Sequence, residues 1–118
     1  MEAHILLVDD DRLLLEVVGE YLEASGYAVD MVESAPLALE RFIPGKYKLA
    51  ILDLMMPEMS GVELMRELLK LDENLFCLIM TGFPTVETTH QAMQEGASDY
   101  IIKPFQFPEL LNVVQKYV

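Results

Sequence analysis

Ile5-Leu6-Leu7-Val8-Asp9-Asp10-Asp11 sets four branched apolar residues directly against three carboxylates. The apolar half does not alternate with polar residues, so as a strand it must be covered on both faces, the condition of a parallel sheet flanked by helices. Working outward from it, short apolar runs at 4–8, 27–32, 49–52, 76–80 and 100–102 read as strands. Segments of helical period lie between and after them, at 11–25, 34–43, 60–71, 85–95 and 107–117. Cys77-Leu78-Ile79-Met80 is as unbroken as the first run, whereas 27–32 alternates around Asp30 and reads as an edge strand. Ser60 with Glu63 spells a capping box, Gly26 and Gly96 stand where helices end in a left-handed residue, and Pro108 suits a first helical turn. A strand–helix order repeated five times predicts a parallel α/β sheet with right-handed crossovers, one domain over residues 1–118.

Composition narrows the function. The 118 residues are 53% hydrophobic, which rules out disorder despite a net charge of −12. The eight Lys and Arg are scattered among 20 Asp and Glu, so the reading predicts no contact of this domain with nucleic acid or with an anionic membrane surface. No apolar run reaches the ~18 residues of a membrane span. The start, Met1-Glu2-Ala3-His4, lacks the basic segment of a signal peptide, and the cytosol is the expected compartment. Cys77, the single cysteine, cannot form an internal bridge and reads as a small core residue.

Ligands of open α/β sheets bind at the carboxyl ends of the strands, where strand order reverses. There the sequence places Asp9, Asp10 and Asp11 after the first strand, Asp53 after the third, Thr81 after the fourth and Lys103 after the fifth. For Asp9, Asp10 and Asp53 to share a site, the first and third strands must be neighbours, which selects the order 2-1-3-4-5 over the Rossmann alternative. Asp11 is read as a helix cap. Three carboxylates in one cleft repel: at about 5 Å and an effective dielectric of about 20, each pair costs roughly 3 kcal/mol. Either a proton is retained or a cation binds, and an all-oxygen donor set suits Mg²⁺ better than zinc. Asp53 then reads as a nucleophile able to accept a phosphoryl group, with the Lys103 ammonium and the Thr81 hydroxyl as further partners of its oxygens.

With these residues in place the chain resembles a response-regulator receiver domain of two-component signalling, the CheY-like family, with the flavodoxin-like doubly wound fold of five helices on the sheet. The matching stretches are Ile5–Asp10, Leu52-Asp53-Leu54-Met55-Met56-Pro57 with Gly61, Met80-Thr81-Gly82, and Gly96-Ala97-Ser98-Asp99-Tyr100-Ile101-Ile102-Lys103-Pro104-Phe105. The resemblance implies that Asp53 takes phosphate from a sensor histidine kinase, a phosphotransfer protein or a small phosphodonor. It implies Mg²⁺ held by Asp9, Asp10, Asp53 and the backbone carbonyl of Met55, Thr81 and Tyr100 as the switch pair, Lys103 as the phosphate-binding lysine, and a cis Lys103–Pro104 bond. It further implies output, or homodimerisation on phosphorylation, through the fourth helix, fifth strand and fifth helix, and no catalysis beyond the domain's own phosphorylation and dephosphorylation.

Other readings fit less well. An aspartate-nucleophile phosphatase of the haloacid-dehalogenase type requires a second acid where Met55 stands, and a flavodoxin requires a phosphate cradle where Asp9-Asp10-Asp11 would repel FMN. A phosphorylation-independent receiver-like module leaves the filled chemical positions unexplained. His4 and His90 lack a second nitrogen or sulfur ligand nearby in sequence, so neither reads as a zinc ligand. Met55 and Phe83, two residues after Asp53 and Thr81, are apolar and cannot orient a water, which leads us to expect slow hydrolysis of an aspartyl-phosphate; loop packing accounts for Met55 equally well. In the fifth helix Leu110, Val113, Val114 and Tyr117 share the core-facing stripe, and Leu111 and Val118 read as a broadening of it or as a partner patch.

Overall fold

The computed structural model describes residues 4–118; the N-terminal reading above rests in part on residues 1–3, which lie outside the described residues. The elements are β1 (His4–Val8), α1 (Arg12–Ala24), β2 (Ala28–Val32), α2 (Ala35–Arg41), β3 (Leu49–Asp53), α3 (Gly61–Leu71), β4 (Phe76–Thr81), α4 (Val86–Gln94), β5 (Asp99–Ile102) and α5 (Phe107–Val114). All strands are parallel, in the order β2-β1-β3-β4-β5. Among the described residues no helix is long and apolar enough to cross a membrane.

The unbroken apolar runs bury both faces of the sheet. Leu6, Val8, Ala50, Leu52, Cys77 and Ile79 point toward α2, α3 and α4, while Ile5, Leu7, Leu49, Ile51, Leu78 and Met80 point toward α1 and α5. Each fully buried aliphatic side chain contributes about 1.5–3 kcal/mol, so the three central strands anchor the fold. On the edge strand β2, Asp30 is accommodated by the Tyr47 hydroxyl at 2.6 Å and the Lys46 ammonium at 3.0 Å. Those donors hold its carboxyl below the usual range, the Tyr47 bond contributing most.

The punctuation read from the sequence is in place. Asp11 accepts the Leu14 amide at 3.2 Å as N-cap of α1, Ser60 and Glu63 cap each other's backbone amides at 3.1 and 3.3 Å, and Pro108 lies in the first turn of α5. Gly26 and Gly96, at φ of 101° and 120°, end α1 and α4 in the left-handed region. Thr85 and Thr88 form a second box at α4 that the S/T-x-x-E pattern does not reveal, because a threonine hydroxyl replaces the acid.

The boundaries differ by small amounts. β3 and β4 run one residue further than the apolar pattern, because the ladder continues through Asp53↔Met80 and Thr81↔Ile102. α2 is shorter, with Ser34 outside it as cap and Phe42 leaving it in extended geometry ahead of Pro44. α5 closes regularly at Val114, and Tyr117 and Val118 fold back in a tighter turn onto the Val114 carbonyl. Val118 packs on the core, so there the stripe is broad.

The carboxylate cluster at the strand ends

The ladder extension places the site. Asp53 closes β3 as a paired strand residue and is only 6% exposed, and Asp9 follows β1 with its amide bonded to the Val32 carbonyl at 3.2 Å. Two neighbouring strands therefore deliver their terminal acids to one point, with Asp10 on the solvent side. One carboxylate oxygen from each of Asp9, Asp10 and Asp53 falls within 4.8 Å of the others.

Lys103 reaches this point from the far edge of the sheet. Its amide donates to the Thr81 carbonyl at 2.7 Å, and the bond to Pro104 is cis, as the resemblance implied. Its ammonium donates to Asp9 Oδ2 at 2.8 Å and to Asp53 Oδ1 at 2.9 Å. Asp9 Oδ1 accepts the Asp11 amide at 2.9 Å, which fixes the Asp9 carboxylate from both sides. Among the described residues Asp53 Oδ2 has no hydrogen-bond partner, and it is not sealed from solvent. One oxygen of the buried aspartate is thus tethered and the other faces solvent.

Burial pushes the Asp53 carboxyl above its ordinary range; the Lys103 bond opposes this, and the neighbouring Asp9 and Asp10 charges add to it. Burial acts to lower the Lys103 ammonium, but its bonds to Asp9 and Asp53 outweigh that and hold it above its ordinary value. Two buried acids share one cation, with Asp10 close by, and the cluster remains short of positive charge. Its donors are all carboxylate oxygens, hard ligands that match Mg²⁺. Asp9, Asp10 and Asp53 are the side chains that would hold the ion, directly or through water. The residues present suit the ion.

Gly61 shows why the β3–α3 loop takes the course it does. A Cβ there would overlap the backbone carbonyl of Asp53, and the Gly61 amide donates to the Leu54 carbonyl at 2.9 Å. The start of α3 thus lies directly against the backbone of the acid, a contact invisible in sequence except as a glycine after a capping serine. Within the same loop the Met59 amide bonds the Pro57 carbonyl at 2.7 Å around Glu58, whose φ is +71°, a tight γ-turn.

The remaining predicted residues lie further out. Thr81 is buried, and its Oγ1 accepts the Phe83 amide at 3.0 Å, while its hydroxyl proton has no acceptor among the described residues. Met55 and Phe83 are 61% and 73% exposed on the rim. Tyr100 is not with the carboxylates: at 37% exposed, it lines a groove with Pro84, Thr85, Val86, His90 and Met93. The apolar character of this face comes mainly from Val86, 88% exposed, Met93, Tyr100 and Ile102, which the helical stripes did not single out. Cys77 is a core residue whose thiol is pushed up to about 12 by burial.

Known proteins share this sequence pattern and fold. The family model described as response regulator receiver domain matches residues 5–115. The chain is 36% identical to the response regulator protein FleR of Pseudomonas aeruginosa over 99% of its own length and 25% of that protein. It is 34% identical to the transcriptional regulatory protein YkoG of Bacillus subtilis over 93% of this chain and 48% of that one. It spans half or less of the length of these relatives. Among solved structures, the chemotaxis protein CheY4 of Vibrio cholerae superposes with a TM-score of 0.93 at 25% identity, covering 100% of both chains.

Proposed function

The chain belongs to the response regulator receiver domain family, and on that premise we propose that Asp53 is its phosphoacceptor and that Thr81 and Tyr100 report the acceptor's state to the α4-β5-α5 face. The observation that carries this reading is the bridging of Asp9 and Asp53 by Lys103, with one Asp53 oxygen left free. In the transfer, that oxygen forms a P–O bond as the P–N bond of a phosphohistidine breaks, and the imidazole leaves with the electron pair. The donor is a sensor histidine kinase, a phosphotransfer protein or, in its absence, a small acyl phosphate. Asp9, Asp10, Asp53 and the Met55 carbonyl would hold Mg²⁺, which supplies charge neutralisation at the phosphoryl oxygens. Lys103 is already charged and positioned to bond one of those oxygens once Asp53 becomes an acyl phosphate.

The new oxygens favour a state in which the Thr81 hydroxyl, whose proton is uncommitted, turns toward them. The Oγ1 bond to the Phe83 amide ties that rotation to the β4–α4 loop, which leads directly to the groove where Tyr100 stands. Tyr100 moves into the space Thr81 leaves, and the exposed face of Val86, Met93 and Ile102 changes shape for a partner or a second copy of the chain. The domain catalyses only its own phosphorylation and a slow dephosphorylation, in the cytosol where its donors are. Acetyl phosphate with Mg²⁺ should add one phosphoryl group to the wild-type chain and none to Asp53→Asn, read by intact mass; equal labelling of the variant would reject Asp53.

A further inference from the structure

Asp99 divides its two carboxylate oxygens between Tyr100 and the last turn of the chain. Oδ1 accepts the backbone amide of Tyr100 at 2.9 Å. Oδ2 accepts the Tyr117 phenol at 3.1 Å and lies 3.4 Å from the Lys116 ammonium. The phenol is shared with the Ser98 carbonyl at 2.9 Å, and the Tyr117 ring packs on Phe76 with centroids 5.1 Å apart. The regular part of α5 ends at Val114, so Tyr117 is the polar anchor of the residues beyond it. The Lys116 pair is largely exposed and adds little.

β5 has four residues and only β4 as a neighbour, so its backbone is constrained from one side alone. A backbone adjustment of β5 that accompanies reorientation of Tyr100 would displace the Tyr100 amide that Oδ1 accepts. The same carboxylate must then adjust its other oxygen, where Tyr117 is bonded. Burial and the Asp99 charge raise the Tyr117 phenol, so it stays a protonated donor at neutral pH.

We propose that Asp99 is a positioning residue that couples the conformation of Tyr100 to the terminal turn of α5 through Tyr117. The proposal deepens the switch reading above and rests on Tyr100 being its mobile member. It concerns a link within one chain, distinct from any contact made by the exposed α4-β5-α5 face.

The test uses the whole chain with ring-labelled tyrosine and backbone amides observed by NMR, with and without Mg²⁺ and beryllofluoride. The Tyr117 signal is assigned with Tyr117→Phe. Beryllofluoride should move the Phe83 amide, the Tyr117 ring and the amides of residues 115–118. In Asp99→Ala the Tyr117 response should fall severalfold while the Phe83 response persists and the rate of phosphorylation by acetyl phosphate stays within about twofold of wild type. Asp99→Asn, which keeps the shape and one acceptor oxygen for the Tyr100 amide and can donate its side-chain amide to a Tyr117 phenol that then donates to the Ser98 carbonyl, should retain most of the response, a rescue that a purely structural loss would not give. A Tyr117 ring that stays fixed in the wild type while Phe83 moves overturns the coupling, as does a full Tyr117 response in Asp99→Ala. If Phe83 is also unmoved, the switch reading itself fails. The link is then decided in the ligand-free chain, where Tyr117→Phe should shift the Tyr100 amide, and an unshifted amide overturns it.

Discussion

Lys103 and Asp53, 50 residues apart in sequence, meet with Nζ 2.9 Å from Oδ1, and the same ammonium lies 2.8 Å from Asp9 Oδ2. A single cation thereby serves two buried acids at the ends of neighbouring strands, and the stability and the chemistry of the site respond to the same charge balance.

Replacing Asp53 by Asn should stabilise the chain at neutral pH while abolishing phosphorylation. The folded-state pKa of Asp53 is raised, so its ionisation disfavours folding once the pH passes the ordinary carboxyl range, and the full cost applies above the raised value. Asn removes that cost, for a gain at pH 7 that vanishes at pH 3. Urea unfolding at the two pH values measures it, and an equal gain at both would contradict the assignment.

Lys103→Met should be destabilising, by about 2–4 kcal/mol at pH 7, because it leaves the Asp9 and Asp53 charges facing each other without a cation. The wild-type lysine has a raised pKa, so its stabilisation is complete below the ordinary lysine range and is lost as the pH rises through the higher folded-state value. Wild type and variant should therefore converge in strongly alkaline solution. Denaturant titrations from pH 7 upward test this, and a constant gap at all pH values would speak against it.

Mg²⁺ should stabilise the wild-type chain by about 2.7 kcal/mol at 100 times its Kd and so raise its unfolding midpoint, and a chelator should reverse the effect. Asp10→Asn, which alters the exposed member of the trio, should weaken the ion at least about tenfold with little change in metal-free stability. Thermal shift against metal concentration separates the two quantities. Loss of stability without loss of affinity would remove Asp10 from the site.

The phosphorylated chain should decay slowly, and Met55→Asn should accelerate the decay by about tenfold, the equivalent of about 1.4 kcal/mol of barrier, by giving an attacking water a hydrogen-bond partner on the rim. Loss of phosphate followed by intact mass reads the rate. Identical decay in both proteins would leave Met55 as loop packing.

Association should depend on the phosphorylated state. Sedimentation with beryllofluoride and Mg²⁺ should show a larger species for the wild type, and Val86→Glu should suppress it without reducing phosphorylation, because Val86 is 88% exposed and far from the carboxylates along the chain. An unchanged monomer in both states would assign the face to a different partner.

Much of this was legible in the residues themselves. Ile5–Val8 and Cys77–Met80 could only be strands covered on both faces, because a half-exposed strand alternates. The chemistry of Asp9, Asp10, Asp53, Thr81 and Lys103 followed from their standing at the ends of such strands. Boundaries were less legible: Asp53 and Thr81 belong to their strands because a neighbouring ladder pairs them, a tertiary fact that overrides their polarity. The face around Tyr100 was implied by the family resemblance but not by the apolar pattern, since Val86 and Met93 are apolar residues like those of the core and only packing shows them exposed among the described residues.

What the sequence determined by itself was the alternation of buried strands with capped helices and the set of acids at the strand ends, because hydrophobic period and capping are local properties of the chain. What only the tertiary structure decided was which oxygen goes to which donor. Lys103 is shared by Asp9 and Asp53, Asp53 Oδ2 is left open, Gly61 lies against the Asp53 backbone, and Asp99 is divided between Tyr100 and Tyr117. Those pairings join residues up to 94 positions apart. They depend on a few ångströms of approach set by the packing of the whole sheet, which no local pattern encodes.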